Sequence, residues 1–189
     1  RDAKARGVRV TCDVTPHHLV LDDSNLVDYD TRFKVIPPLR TPDDIAALRE
    51  GLQDGTIDAI TSDHAPHPPD DKDHEWSYAP AGTVGLETTL SVILAELVDP
   101  DACPDKRGNG TLSMAEALAL LSSGPAKARD IEGHGRPITA GEPANLLLFD
   151  PGVIWSVVGD ELRTRSRNTA FEGHEVRGRA VHTVLRGKF

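Results

Sequence analysis

The sequence predicts an α/β chain, with parallel βα units over residues 1–133 and a small all-β unit over residues 134–189. Three observations carry this. Apolar strand-like runs alternate with segments of helical period between Val8 and Leu121, the order expected of βα repeats. The helices announce themselves by cap chemistry. Beyond Gly133 the apolar runs become short and are divided by Gly and Pro, with no helical period between them.

The chain opens on Arg1-Asp2-Ala3-Lys4-Ala5-Arg6-Gly7, which reads as the last turns of a helix closed by glycine. A strand is expected at once over Val8–Val14. An opening inside a helix reads as a fragment of a longer protein. A polar stretch from Asp22 to Thr31 leads to an extended segment, Phe33 to Ile36, stopped by Pro37 and Pro38. Thr41-Pro42-Asp43-Asp44 combines a capping hydroxyl, a first-turn proline and acids at the positive helix end. Ile45, Leu48 and Leu52 share one face of the helix that follows, and Ile57 to Ser62 is the next strand.

Asp63 to Val84 is a loop rich in Pro, Asp and His, of a length that usually carries function. A helix is expected over Gly85–Leu97, and Asp99 to Gly110 is a polar connection. Ser113 and Glu116 have the capping-box spacing and open a helix through Leu121. The β unit contains three short strands, Asn145–Phe149, Val153–Val157 and Ala180–Leu185.

Composition narrows the function. Hydrophobic residues at 38% and charged residues at 27% are ordinary for a soluble domain. A net charge of −9 argues against nucleic acid as a partner. No apolar run is long enough to cross a bilayer. The two cysteines, Cys12 and Cys103, lie far apart, which fits a reducing cytoplasm rather than a disulfide framework. Cys12 lies in an alternating apolar stretch and is expected to be buried and structural.

Chemistry concentrates in two places. Thr15-Pro16-His17-His18-Leu19 lies just past the first strand, and Thr61-Ser62-Asp63-His64-Ala65-Pro66-His67 just past the third. In a parallel βα barrel, loops at the strand C-termini form the mouth where active sites lie, so both clusters are expected to face one pocket. His with Asp suits a cation such as zinc, and a carboxylate beside such an ion can take a proton from water. His74, His134, His174 and His182 lack this setting and read as surface residues.

Val14 to Leu19, Phe33 to Arg40 and Thr61 to His67 together resemble three successive active-site blocks of the bacterial class I dihydroorotase family. Gly82 to Glu87, Gly141 to Leu146 and Ser166 to Gly173 continue the likeness in order, so that it spans nearly the whole chain. The resemblance implies the C-terminal portion of a metal-dependent (β/α)8 TIM-like barrel of the amidohydrolase superfamily over 1–133, then part of a small β-sandwich over 134–189. It implies reversible hydrolysis of (S)-dihydroorotate to N-carbamoyl-L-aspartate, in the de novo pyrimidine (UMP) pathway. His17 would ligate one zinc of a pair, and Asp63 would ligate the other and act as general base, then general acid. His67 would hold the substrate carboxylate, with backbone groups of Pro80, Ala81 and Gly82 completing the pocket. A small-molecule substrate is implied, with a second copy of the chain or aspartate transcarbamoylase as protein partner.

Two departures matter. The family's His-x-His pair and its middle-strand ligands are not in this chain, so the remaining zinc ligands would lie in an N-terminal half, and the isolated piece is expected to be inactive. Ile36 stands where the family usually has Asn, which bonds the substrate ring. An unpaired polar edge costs about 1 to 3 kcal/mol, so Ile36 is expected to weaken dihydroorotate binding. Ile36 therefore keeps open another cyclic amidohydrolase, of allantoinase or dihydropyrimidinase type. A non-catalytic relative that serves as a partner of aspartate transcarbamoylase is the third reading.

Overall fold

The computed structural model describes residues 1–98 and 110–188. The polar connection expected from Asp99 to Gly110 lies, except for Gly110, outside the described residues, as does Cys103.

A short helix, α1 (Asp2–Ala5), precedes strand β1 (Asp13–Val14), which pairs in parallel with β2 (Ala59–Ile60). The register sets Asp13 opposite Ala59 and Val14 opposite Ile60. Between them lie α2 (Pro16–Val20), two 3-10 segments (Asp23–Tyr29 and Thr31–Phe33) and α3 (Pro42–Gln53). Helix α3 begins as its sequence dictates. Thr41 Oγ1 accepts from the Asp44 amide, and the Asp44 carboxylate accepts in return from the Thr41 amide. The one-turn α4 (Pro69–Lys72) follows β2, and then α5 (Thr89–Glu96), α6 (Met114–Leu121) and α7 (Ser123–Ala128). Ser113 and Glu116 form the expected capping box on α6.

Several boundaries differ from the sequence reading. Of the strand expected over Val8–Val14, only Asp13–Val14 forms a ladder, and Ile57–Ser62 contracts to Ala59–Ile60. Strand length is set by neighbours, and β1 and β2 have only each other among the described residues. Cys12 is exposed rather than buried, with its thiol donating to the Thr56 carbonyl at 3.0 Å. The helix expected from Gly85 starts at Thr89, because Gly85 to Thr88 forms a turn in which the Thr88 and Thr89 amides donate to the Gly85 carbonyl.

The three strands expected in the β unit form instead an antiparallel pair, β3 (Leu146–Ser156) and β4 (Glu175–Val184). Pro151-Gly152 was expected to separate two strands. A register shift between Asp150 and Ile154 absorbs them, as a bulge does. The pair packs on α5: Ser91 Oγ donates to the Gly178 carbonyl at 2.6 Å, and Arg177 donates to the Leu94 carbonyl. Gly178 has φ of 83°, and a Cβ there would stand 2.4 Å from Leu94 Cδ1, so backbone and space both favour glycine at this approach.

Two apolar clusters hold these layers together. Val14, Leu19, Ile60, Ile93, Leu97 and Ala117 join the parallel pair to α2, α5 and α6. Val35, Leu39, Val92, Phe171 and Val176 join the other side of α5 to β4 and the Val35 segment. Helix α5 is thus apolar nearly all round, as a helix buried on both faces must be. No helix of the described residues is long and apolar enough to cross a membrane.

Candidate active site

Parallel pairing of β1 with β2 puts the segments after Val14 and Ile60 side by side. His17 enters α2 behind the Thr15 cap, and Asp63 follows β2 by the same offset. The result is a close approach: His17 Nε2 lies 4.0 Å from Asp63 Oδ2. His17 is 2% exposed, whereas the Asp63 side chain is 49% exposed. Asp63 adopts a left-handed backbone conformation with φ of 45°, which a β-carbon disfavours and which a working site can retain.

His17 Nε2 is buried without a hydrogen-bond partner among the described residues. Desolvation, and next the neighbouring His18, lower its pKa from 6.5 to about 3, so the ring is a neutral base. A neutral imidazole whose Nε2 is unpartnered among the described residues and faces a carboxylate fits a zinc-like cation, and 4.0 Å is within the span of donors sharing one ion or an adjacent pair. Two donors do not complete a coordination shell. Among the described residues no group of three or more His, Cys, Asp or Glu side chains converges on a metal position.

His18 has a different task. Its Nε2 faces the Pro37 carbonyl at 2.8 Å, which accepts only, so Nε2 carries the proton. Nδ1 then accepts from Thr15 Oγ1 at 2.6 Å. The ring thereby fastens the segment that bears Ile36 to the His17 turn. The Ile36 side chain itself is 74% exposed and unpacked. His64 is also structural, with Nδ1 accepting from the Gly85 and Leu86 amides.

His67 belongs to a second cluster. Its Nε2 lies 3.0 Å from the Ala81 carbonyl, and a Cβ on Gly82 would come within 2.9 Å of the same nitrogen. Gly82 has φ of 139°, so both space and backbone demand glycine there. The structure therefore brings His67 to Ala81 and Gly82, as it brings His17 to Asp63.

Residues that the sequence did not single out hold this second cluster. The buried Asn168 donates to the carbonyls of Ala65 (3.0 Å) and Gly82 (3.1 Å) and accepts from the His67 amide (3.2 Å). Ser166 Oγ bonds the His67 amide and carbonyl. Lys72 is buried, with Nζ donating to the carbonyls of Pro80 (3.0 Å) and Gly82 (3.1 Å). Lys34 Nζ donates to the carbonyls of Trp76 and Ala79. Asn168 lies within a block of the family resemblance but carries no local sign of its role, and Lys72 lies in the loop expected to carry function without being singled out there.

A cleft of about 710 Å³ lies elsewhere, between α7 and β3–β4, lined by Ile131, Ile138, Pro143, Leu147 and Leu185 together with His134, Arg136 and Glu142. It includes none of the residues above, and its one carboxylate, Glu142, is held in an ion pair with Arg136 at 2.5 Å.

The amidohydrolase family matches residues 2–189. A dihydroorotase from Streptomyces coelicolor is 50% identical over 188 residues, covering all of this chain and 42% of that protein. A dihydroorotase from Mycobacterium leprae is 45% identical over 186 residues, covering 98% of this chain and 41% of that protein. Among solved structures, the L-hydantoinase (dihydropyrimidinase) from Arthrobacter aurescens superposes with a TM-score of 0.84 at 29% identity, over 99% of this chain and 40% of that one. The chain thus spans about two fifths of the length of the relatives it matches.

Proposed function

The chain belongs to the amidohydrolase family, and from that premise we propose that it forms the C-terminal half of a dihydroorotase, a hydrolase of a cyclic amide C–N bond. One observation carries the reading: a buried, neutral, unpartnered imidazole, His17, faces Asp63 at 4.0 Å at the ends of adjacent parallel strands. That is a donor set for a metal with a proton acceptor beside it. The identity of up to 50% with proteins named dihydroorotase selects the substrate among cyclic amides.

In this reading His17 and Asp63 would hold zinc together with further ligands, and the bound metal would supply Lewis acidity toward the amide carbonyl and an activated water. Asp63 accepts a proton as water adds to the ring carbonyl, then delivers it to the departing ring nitrogen as the C–N bond breaks. One water is consumed, and a carboxylate and a ureido N–H are formed. A half-exposed carboxylate on a strained turn suits this exchange, because it meets both water and substrate. His67 and the Ala81 N–H receive the substrate carboxylate, the Gly82 N–H being taken by the Lys34 carbonyl at 2.8 Å.

Ile36 favours a second reading, a cyclic amidohydrolase whose substrate lacks that carboxylate, and the likeness to an L-hydantoinase is consistent with it. Turnover of dihydroorotate and of dihydrouracil by the full-length subunit, with its zinc content, separates the two. Dihydroorotate turnover with a pair of bound metals is the expected result. Preference for the uncharged ring would overturn it.

A further inference from the structure

Lys72 holds the loop of the second cluster, yet its charge has no part in the assignments above. Its ammonium is buried and points at two backbone carbonyls, those of Pro80 and Gly82. No carboxylate pairs with it at ion-pair distance among the described residues; Asp30 acts on it only at longer range. An uncompensated buried ammonium is costly, and a lysine whose only task was to fasten a loop would be replaceable by a neutral donor.

The carbonyls it binds explain what the charge does. The Pro80–Ala81 peptide is trans, so its N–H points opposite to its C=O. With the Pro80 carbonyl on Lys72, the Ala81 N–H is turned away from the lysine, and it has no acceptor among the described residues. His67 Nε2 lies at the Ala81 carbonyl next to it, and Asn168 holds Gly82 from the other side. A cation on the carbonyl end of a peptide polarises its N–H end into a stronger donor. The two ends of this one amide therefore connect a buried positive charge to an open anion-seeking N–H.

We propose that Lys72 is a positioning residue for substrate-anion recognition: through the Pro80–Ala81 peptide it aims and polarises the Ala81 N–H toward the substrate carboxylate. The inference rests on the dihydroorotase reading, which supplies the carboxylate. Burial, then Lys34, lower the pKa of Lys72 to about 8, with Asp30 acting in the opposite direction. The charge is present below that pH and lost above it.

The test uses the full-length, metal-loaded subunit and orotate, a planar ring with the same carboxylate, as the binding probe. In wild type, orotate affinity is expected to weaken as pH rises through about 8. Lys72→Gln keeps a donor for the carbonyls but removes the charge. It is expected to weaken orotate and raise the KM for dihydroorotate by about tenfold, in line with a charge-assisted contact, while kcat and zinc content hold. Lys72→Met is expected to match it and to lose the pH dependence above neutrality. Unchanged orotate affinity in Lys72→Gln, or a flat wild-type profile between pH 7 and 9, would overturn the proposal even if dihydroorotate is the substrate. Wild type that neither turns over dihydroorotate nor binds orotate would instead overturn the functional reading, and this proposal with it.

Discussion

His17 Nε2 and Asp63 Oδ2 stand 4.0 Å apart, one side chain sealed in the core and the other half open to solvent. The asymmetry divides their work. A sealed imidazole is held in one place as a neutral donor, while an open carboxylate can exchange protons.

Replacing each partner should therefore fail differently. Asp63→Asn keeps the shape but cannot take a proton, and kcat for dihydroorotate hydrolysis is expected to fall about 100- to 10,000-fold. His17→Ala should instead lower zinc content by about one ion per subunit, since a catalytic zinc keeps few protein ligands. Metal analysis beside steady-state kinetics distinguishes these outcomes. Full zinc occupancy in His17→Ala would remove His17 from the ligand set.

Burial of His17 also makes stability depend on pH. An unfolded histidine titrates near 6.5, whereas folded His17 remains neutral down to about 3. Between those values the unfolded state binds more protons, so stability rises with pH and is lost as acid is added. The slope from this one group approaches about 1.4 kcal/mol per pH unit at most. Urea midpoints of the metal-stripped subunit at pH 7 and pH 4.5 should fall further in wild type than in His17→Gln. Equal falls would mean that His17 is protonated or hydrated in the folded protein.

Much of this pair was legible in sequence, because a short-range rule sufficed. Each residue sits at the same offset past an apolar strand, and parallel pairing of Val14 with Ile60 does the rest. The α3 and α6 caps were legible for a similar reason, since capping boxes are local. Lys72 was not. Its neighbours Pro69, Asp70, Asp71 and Asp73 give no periodic pattern, and its burial depends on carbonyls further along a loop of irregular path. The exposure of Cys12 and the fused strand β3 failed for the complementary reason: edge exposure and bulges depend on which strands lie alongside.

Asn168 ties the returning chain to the loop that bears His67, and all of its side-chain polar capacity is engaged. Asn168→Ala leaves the Ala65 carbonyl without its donor and weakens the hold on the His67 amide and Gly82 carbonyl. The expected cost is about 1 to 3 kcal/mol of stability, read by denaturant unfolding, with a higher KM as His67 loosens. Asn168→Asp should do no better, because it keeps the acceptor but loses both donations. A fully stable Asp variant would show that these donations are dispensable.

Ile36 decides how far the substrate reading holds. Ile36 is 74% exposed and belongs to neither apolar cluster, while the main chain around it is fixed by His18 on the Pro37 carbonyl. Ile36→Asn should therefore leave stability within about 0.5 kcal/mol, as for other surface changes. It places an amide where the resemblance expects a bond to the substrate ring. The gain from such a bond is about 0.5 to 1.5 kcal/mol, so KM for dihydroorotate should fall by up to about tenfold, with kcat nearly unchanged. Kinetics of the full-length subunit with and without the substitution provide the check. A lower KM would assign Ile36 as a tolerated loss within a dihydroorotase pocket. No change, together with better turnover of dihydrouracil by wild type, would mean that the pocket has been reshaped around an uncharged ring.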